Sequence, residues 1–194
     1  MKIVGAILAA GTSSRMGRNK LLLPYKGHTV IEEVLVQISQ SALDEIIVVT
    51  GFERDRIERL VKAKYKDRIK IISNENFRLG RAESIKCAAR NVGDQTDAIL
   101  FMVADKPTVR ANLINRAIAE FRKKSPEILY VKTPAGRGHP IIFSKELFDE
   151  LQALEGDEVG EQLIARHKDN VIELTGEESQ IDIDTLEDYR MLTE

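Results

Sequence analysis

The segment KIVGAILAAGTSSRMGRNK, residues 2–20, runs from a continuous apolar stretch into a loop rich in glycine, serine and basic residues. Apolar residues that follow one another without alternation are typical of a strand covered on both faces, as in a parallel sheet flanked by helices. A lysine before a short apolar run also resembles a signal peptide, but the polar, basic sequence that follows at once favours a buried strand. We therefore interpret residues 2–9 as the first strand.

Strand-like and helix-like segments alternate through the next part of the chain. Further apolar runs occupy residues 45–50, 69–73, 98–104, 128–132 and 140–144. Amphipathic stretches with a helical period occupy residues 29–41, 55–65, 82–92 and 111–124. This alternation predicts a three-layer α/β fold with a mainly parallel, doubly wound, Rossmann-like sheet.

The C-terminal third is less regular, and we interpret it segment by segment. Residues 145–154 and 157–167 are predicted helices, 170–175 and 180–184 are predicted short strands, and 186–192 is a predicted closing helix. The sequence contains no internal repeat, low-complexity run or linker. We therefore expect residues 1–194 to form a single domain.

Composition and charge exclude several classes of protein. The chain has 194 residues, of which 43% are hydrophobic and 31% charged, with a net charge of −2, so it lacks the basic field of a nucleic-acid-binding protein. No apolar run approaches the roughly 20 residues that span a bilayer. Cys87 is the one cysteine, which excludes an internal disulfide and fits a reducing compartment. We expect a cytoplasmic protein that binds neither nucleic acid nor membrane.

The loop after the first strand carries the parts of an anion site but neither familiar glycine-rich fingerprint. It lacks G-x-G-x-x-G, and G-x-x-x-x-G-K-[ST] fails because Gly11 and Gly17 are six apart and Lys20 does not adjoin Gly17. The backbone, hydroxyl and cationic donors suited to phosphate oxygens come from Gly11, Gly17, Ser13, Ser14, Arg15 and Lys20. The alternative interpretation is a solvated basic loop.

The pattern L-A-A-G-x-S-S-R-M-G-x-x-K at residues 8–20 resembles the signature loop of the molybdenum cofactor nucleotidyltransferases. It is more similar to the cytidylyltransferase branch than to the guanylyltransferase branch, which usually carries L-A-G-G. The resemblance implies the fold of the nucleotide-diphospho-sugar transferases, with Arg15 and Lys20 neutralising a triphosphate. The nucleotide-binding set that it implies is Leu8, Ala9, Ala10, Gly11, Ser13, Ser14, Arg15, Lys20, Thr50, Gly51, Asn74, Gly80 and Ser84.

Two later loops extend this resemblance. VTGFE at residues 49–53 is similar to the family's second-strand end, although an ordinary turn at Gly51 is the alternative. The segment beginning NENFRLGRAES at residue 74 is similar to N-x-x-[WF]-x-x-G-x-x-x-S. Near a helix N-terminus, Ser84 either donates to a phosphate or ribose oxygen or caps the helix.

Carboxylates at two places resemble the family's metal ligands. Asp105 ends the fourth apolar run, where the family usually has G-D-Q-P and this chain has Ala104 and Lys106. A carboxylate at a strand's carboxyl end suits Mg²⁺, with a helix N-cap as the alternative. Asp182 and Asp184 lie in a D-I-D motif that resembles the family's D-I-D-T-P-E-D and would share one face of a strand. Either is a candidate second metal ligand, and the alternative role for each is a cap of the closing helix.

The acceptor side is implied by two glycine-containing segments. GRGHP at residues 136–140 is similar to the family's G-x-G-H-P loop, which assigns Arg137, Gly138 and His139 to the acceptor, with His139 orienting it; a plain hairpin loop is the alternative. GDEVGEQLI at residues 156–164 resembles a segment that lines the acceptor cleft, where Asp157 is either an acceptor contact or an N-cap.

The resemblance thus implies nucleotidyl transfer with Mg²⁺, Arg15, Lys20 and Asp105 as the catalytic set. A molybdopterin-type phosphate attacks the α-phosphorus of a nucleoside triphosphate, and pyrophosphate leaves. CTP is favoured because the methyl group of Ala10 crowds a purine. Guanylyl transfer, sugar- or polyol-phosphate activation, and a non-enzymatic cofactor-insertion chaperone remain alternatives. A molybdenum hydroxylase apoenzyme is the expected protein partner.

Overall fold

The computed structural model describes residues 1–158, 160–176 and 180–193, apart from the side chain of Asp67. Its strands confirm the predicted apolar runs and add a short hairpin after the first loop. The strands are β1 Ile3–Ala9, β2 Pro24–Tyr25, β3 His28–Thr29, β4 Glu45–Thr50, β5 Lys70–Ser73, β6 Ala98–Val103, β7 Ile128–Thr133, β8 Gly136–Ser144 and β9 Val171–Thr175.

Helices follow most of the strands, as the amphipathic stretches predict. They are α1 Val30–Ser39, α2 Arg54–Tyr65, α3 Ala82–Ala89, α4 Ala111–Lys124, α5 Phe148–Ala153, α6 Gly160–Arg166 and α7 Leu186–Thr193. The start of α1 is encoded locally, because Thr29 and Glu32 form a reciprocal capping box that satisfies backbone N–H groups at the helix end. Within the described ranges, no helix has both the length and the apolar character needed to cross a membrane.

The main sheet has seven strands in the order β5-β4-β1-β6-β8-β7-β9. β1 pairs in parallel with both β4 and β6, and β4 pairs in parallel with β5. β8 runs antiparallel to β6 and to β7, while β7 and β9 are parallel. The predicted mainly parallel, doubly wound sheet is confirmed, with β8 as the reversed strand.

Separate apolar cores cover the two faces of this sheet, which makes the fold three-layered. One core joins sheet residues such as Ile7 and Leu100 to α1, α2 and α4, and includes Phe121. The other joins Val49 and Phe101 to α3, α5 and α6. Burial on both faces explains why β1, β4 and β6 are apolar at successive positions.

Two predicted features at the edge of the sheet where the parallel strands end are wrong in detail. Residues 136–140 are not a loop but the first part of β8, whose reversed direction brings its first residues to the edge where the parallel strands end. Residues 180–184 are not a strand, because the Gln180 side chain pairs with the main chain of His139, and Ile183 N–H donates to the Asp105 carbonyl at 3.4 Å. The helix predicted at residues 145–154 opens with a 3-10 turn, and α5 begins only at Phe148.

Candidate functional site at the carboxyl edge of the sheet

The loop after β1 is held open by turns in left-handed backbone conformation. Ser13 has φ 51° and Gly17 has φ 64°, and the Ser13 hydroxyl accepts a hydrogen bond from Lys20 N–H at 3.2 Å. Asn19, which the sequence interpretation missed, is 4% exposed and donates to the Phe52 carbonyl at 3.4 Å. The loop is therefore anchored to the next strand end and presents its basic side chains from a defined position.

Lys20 joins the loop to carboxylates from two distant parts of the chain. Its Nζ lies 2.5 Å from Asp105 Oδ2 and 3.0 Å from Asp184 Oδ1. Arg15 donates to Asp184 Oδ2 at 2.9 Å. Burial disfavours the charge on Lys20, but the Asp105 charge and hydrogen bonds to Asp105 and Asp184 outweigh it and raise the pKa of the ammonium.

The same carboxylates suit a divalent cation bound together with phosphates. The Asp105 Oδ1 atom is buried and has no hydrogen-bond partner among the described residues. Asp105 and Asp184 already share one cation, the Lys20 ammonium. The described residues contain no cluster of three or more protein metal ligands. A pair of carboxylates completed by substrate phosphates is the usual arrangement for Mg²⁺, so these residues fit that ion.

Asp182 and Asp184 do not share one face, contrary to the strand interpretation. Asp182 Oδ1 pairs with Lys106 Nζ at 2.9 Å, whereas Asp184 faces the loop after β1. Neither caps the closing helix, because Thr185 and Asp188 form that cap with reciprocal hydrogen bonds of 2.7 and 3.1 Å. Asp105 is not an N-cap either, since α4 begins after Arg110.

A second group of predicted residues lies where β4 and β5 end. Asn74 Nδ2 donates to Ser84 Oγ at 3.1 Å, and both side chains are buried. Ser84 is therefore inside α3 and bonded to Asn74, not a cap, since Arg81 occupies the N-cap position. Gly80 has φ 128°, and a Cβ there would lie 2.0 Å from the Gly156 carbonyl oxygen, so this position requires glycine.

An open cavity of about 440 Å³ borders this second group. Gly51, Asn74 and Phe77 contribute to its lining. The lining also contains charged residues at and just before the start of α2 that the sequence interpretation did not select, namely Glu53, Arg54, Asp55, Arg56 and Arg59. A Cβ at Gly51 would lie 2.7 Å from Ala10 Cβ, so the two loops are in direct contact here.

The predicted acceptor residues separate into two places. Gly138 and His139 lie beside Gln180, whose Oε1 accepts from His139 N–H at 2.7 Å and would lie 2.6 Å from a Cβ at Gly138. Burial, and then the charge of Lys106, lower the pKa of His139. Arg137 points elsewhere, towards Glu161 at 3.2 Å.

Asp157 lies near the start of α3 and not at the start of α6. Its Oδ1 accepts from Arg81 N–H at 3.3 Å, and the side chain is exposed. The remaining predicted residues lie at strand ends or in the first loop: Leu8 and Ala9 in β1, Thr50 in β4, and Gly11 and Ser14 in the exposed part of the loop.

A family model for the MobA-like NTP transferase domain matches residues 5–171. The chain belongs to this family. Its relatives include the purine catabolism protein PucB of Bacillus subtilis, 30% identical, with 98% of this chain and 95% of PucB covered. The molybdenum cofactor cytidylyltransferase of Escherichia coli is also 30% identical, with 94% of this chain and 91% of that protein covered.

Solved structures of several similar proteins share this fold. Rv0371c from Mycobacterium tuberculosis H37Rv has a TM-score of 0.85 at 32% identity, with 98% of this chain and 97% of that chain covered. A manganese complex of Rv0371C from the same organism has a TM-score of 0.82 at 30% identity, covering 99% and 98% of the two chains. A divalent metal thus binds a similar protein. CMP:2-keto-3-deoxy-manno-octonic acid synthetase shares the fold, with a TM-score of 0.80 at 17% identity over 99% of this chain and 98% of that chain.

The chain is therefore a nucleotidyltransferase of the MobA-like family, as the first loop indicates. Its fold is that of the nucleotide-sugar transferases. Sequence reasoning missed Asn19, Gln180 and the pairing of Lys106. Asn19 could have been found from a local signal, because asparagine is a preferred N-cap residue. Its side chain accepts a hydrogen bond from Leu21 N–H at 3.1 Å and caps the turn that follows. Gln180 has no such signal, since its partner His139 is 41 residues away.

Proposed function

We propose that this enzyme transfers a cytidylyl group from CTP to a molybdopterin-type phosphate, releasing pyrophosphate. The observation that carries the proposal is the convergence of Lys20 with Asp105 and Asp184 at the mouth of a phosphate-type loop. That arrangement provides cations for a triphosphate and carboxylates for a divalent ion within one cluster. We also propose that residues 1–194 work as a single catalytic domain.

In the proposed reaction, Arg15 and Lys20 leave their carboxylate partners and bind triphosphate oxygens. Asp105 and Asp184 would hold Mg²⁺, and that ion would supply charge neutralisation for the phosphates. Asp184 is preferred to Asp182 as the second ligand because it shares Lys20 with Asp105. The acceptor phosphate needs no general base at neutral pH, so catalysis rests on positioning and charge neutralisation.

The nucleoside is proposed to lie along the ends of β4 and β5. Gly51, Asn74, Gly80 and Ser84 are held there by close contacts that leave little room for larger side chains. Ala10 is 3% exposed and lies against Gly51, so its methyl group sets how closely these two loops approach. A base site narrowed by the Ala10 methyl group would favour a pyrimidine over the larger purine. The 30% identity to a cytidylyltransferase supports the same choice.

The acceptor is proposed to approach from the β8 side, where His139 and Gly138 orient it. Arg137, which pairs with Glu161, and Asp157, which accepts from Arg81 N–H, are proposed to contact the distal part of a large acceptor. A molybdenum hydroxylase apoenzyme is the proposed recipient of the product. The cations and carboxylates at the site favour catalysis over a purely chaperone-like role. Binding a cofactor for delivery does not require a site for a nucleoside triphosphate and its metal ion.

The test is pyrophosphate release from each of the four ribonucleoside triphosphates with Mg²⁺ and molybdopterin, against a panel of sugar and polyol phosphates. We expect turnover with CTP and molybdopterin at least tenfold above every other pair. Preference for GTP reassigns the base, and preference for a sugar phosphate reassigns the acceptor. Tight molybdopterin binding without pyrophosphate release contradicts the enzymatic proposal and supports the chaperone.

A further inference from the structure

Lys106 is a buried cation next to the proposed metal ligand. Its side chain is 9% exposed, although lysine is among the residue types least often buried. It follows Asp105 directly and precedes Pro107 in the turn after β6. Where the family pattern G-D-Q-P has glutamine, this chain has a lysine.

The charge of Lys106 is balanced by a single carboxylate that lies partly in water. Asp182 Oδ1 is 2.9 Å from Lys106 Nζ, and the Asp182 side chain is 50% exposed. Among the described residues, this is the ion pair that Lys106 makes. A buried ammonium is costly unless it is paired, whereas a half-exposed carboxylate can return to water at little cost. An incoming anion can therefore replace Asp182 without leaving any buried charge unpaired.

The position of the pair is fixed from two sides of the site. The Gln180 side chain bonds to both main-chain polar groups of His139, and Ile183 N–H donates to the Asp105 carbonyl at 3.4 Å. Asp182 lies between these two anchors. Gln180, two residues before Asp182, holds this segment against His139 of β8, whereas Lys20 approaches Asp105 from the loop after β1.

We propose that Lys106 binds the phosphate of the acceptor and that Asp182 occupies its place when no acceptor is bound. The inference rests on the proposed function for the identity of the ligand, but it assigns the phosphate site to a residue outside the predicted set. Lys20, in the loop after β1, then serves the triphosphate, and Lys106, in the turn after β6, serves the attacking phosphate. Asp182 is a counter-ion to the acceptor site and not a metal ligand.

The experiment titrates inorganic phosphate into the ¹⁵N-labelled full chain and follows amide shifts by NMR. Amides of Gly138 and His139 report the Lys106 site, and amides of residues 13–17 report the triphosphate loop. We expect K106Q to weaken binding at Gly138 and His139 at least threefold and D182N to strengthen it, since D182N removes the competing anion. K106R keeps the charge and should bind within threefold of wild type, and K123Q on the exposed face of α4 is the matched control.

A K106Q affinity within threefold of wild type overturns the proposal, and so does weaker binding by D182N. The opposite signs for the two partners separate this role from a structural ion pair, whose loss would act alike in both variants. Melting temperatures check that each variant is folded, and D182N tests the proposal even where K106Q does not fold.

Turnover separates this inference from the proposed function. If wild type releases pyrophosphate, K106Q should raise KM for the acceptor at least threefold while KM for the nucleotide stays within twofold. An equal rise in both KM values contradicts a site specific to the acceptor. If wild type shows no nucleotide-dependent turnover, the proposed function fails, and the phosphate titration still tests Lys106 as an anion site.

Discussion

Two partly buried ionic clusters in this molecule differ in how completely their carboxylate oxygens are hydrogen-bonded. The site cluster consists of Arg15, Lys20, Asp105 and Asp184. The second, which we call the Glu33 cluster, joins α1 to the turn before α4 and consists of His28, Glu33, Gln37 and Arg110. Glu33 receives Arg110 at 2.6 Å, His28 at 2.8 Å and Gln37 at 3.0 Å, so both of its oxygens are bonded. In the site cluster, Asp105 Oδ1 is buried without a partner.

The difference indicates which cluster maintains the fold and which is reserved for a ligand. Burial disfavours charge on Glu33, but hydrogen bonds from His28 and Gln37 and the charge of Arg110 outweigh it and lower the pKa of the carboxyl. Removing one partner from a saturated cluster leaves a buried charge unpaired and therefore lowers the free energy of unfolding. A cluster with an unpaired buried oxygen can accept a further ligand, at some cost in the free energy of unfolding.

The largest expected effect is on catalysis, through the site cluster. Replacing Lys20 by alanine should lower kcat/KM for pyrophosphate release 100- to 1,000-fold, because a positioned cation for the triphosphate is lost. The melting temperature should change less than in the Glu33 variant described below. K123A, at an exposed position of α4, is the control and should retain wild-type turnover. Unchanged turnover in K20A would contradict the proposed role of Lys20 in binding the triphosphate.

The second effect concerns the unpaired oxygen of Asp105. D105N should lower kcat roughly 100-fold and abolish the thermal stabilisation that Mg²⁺ and nucleotide give together, because a neutral amide holds a divalent ion poorly. Without metal, the free energy of unfolding should fall by less than about 1 kcal/mol, since Lys20 keeps Asp184. Retention of the metal-dependent shift by differential scanning fluorimetry would exclude Asp105 as a ligand.

The Glu33 cluster should show the reverse pattern. E33Q should lower the free energy of unfolding by about 2 kcal/mol, because Arg110 and His28 lose the charge that they share. Its kcat should stay within twofold of wild type. The matched control is E120Q on α4, which breaks a surface pair with Lys124 and should change the free energy of unfolding much less than E33Q does. Urea unfolding measures both, and a large loss of kcat in E33Q would erase the distinction between the clusters.

The smallest effect comes from a third, more exposed cluster around His167. Its ring nitrogens lie 2.8 Å from Glu127 and 2.8 Å from Glu150, and Arg166 also pairs with Glu150 at 3.1 Å. Burial lowers the pKa of His167, but the hydrogen bonds and charges of Glu127 and Glu150 outweigh it and raise the pKa above its ordinary value of 6.5. The cluster therefore stabilises the fold fully below pH 6.5 and progressively less as the pH rises through the raised pKa.

Replacing His167 by glutamine should remove this pH dependence. The loss in free energy of unfolding should be about 1 kcal/mol or less at pH 6 and close to zero at pH 9, in line with partly exposed ion pairs. Urea unfolding of both proteins at the two pH values provides the measurement. An equal loss at both pH values would mean that the variant acts through packing and not through the charge of His167.

Much of the fold was predictable because its signals are local. Unalternating apolar runs indicate β1, β4 and β6, and amphipathic periods indicate α1 to α4. The prediction failed at residues 180–184, where apolar alternation resembles a strand, but Ile183 N–H donates to the Asp105 carbonyl and Asp184 N–H to the Asp188 carboxylate. It also failed at residues 136–140, since a glycine-rich composition does not distinguish a loop from the first residues of a strand.

The sequence by itself determined the parallel α/β architecture, the basic loop after β1 and the presence of Asp105 at a strand end, because each depends on residues close together in the chain. Only the tertiary structure decided that Lys20 meets Asp184, 164 residues away, and that Asp182 pairs with Lys106 instead. Two aspartates separated by one residue are chemically equivalent in a sequence. Their partners depend on how the segment crosses the edge of the sheet, and that path is set by Gln180 and Ile183 contacting His139 and Asp105.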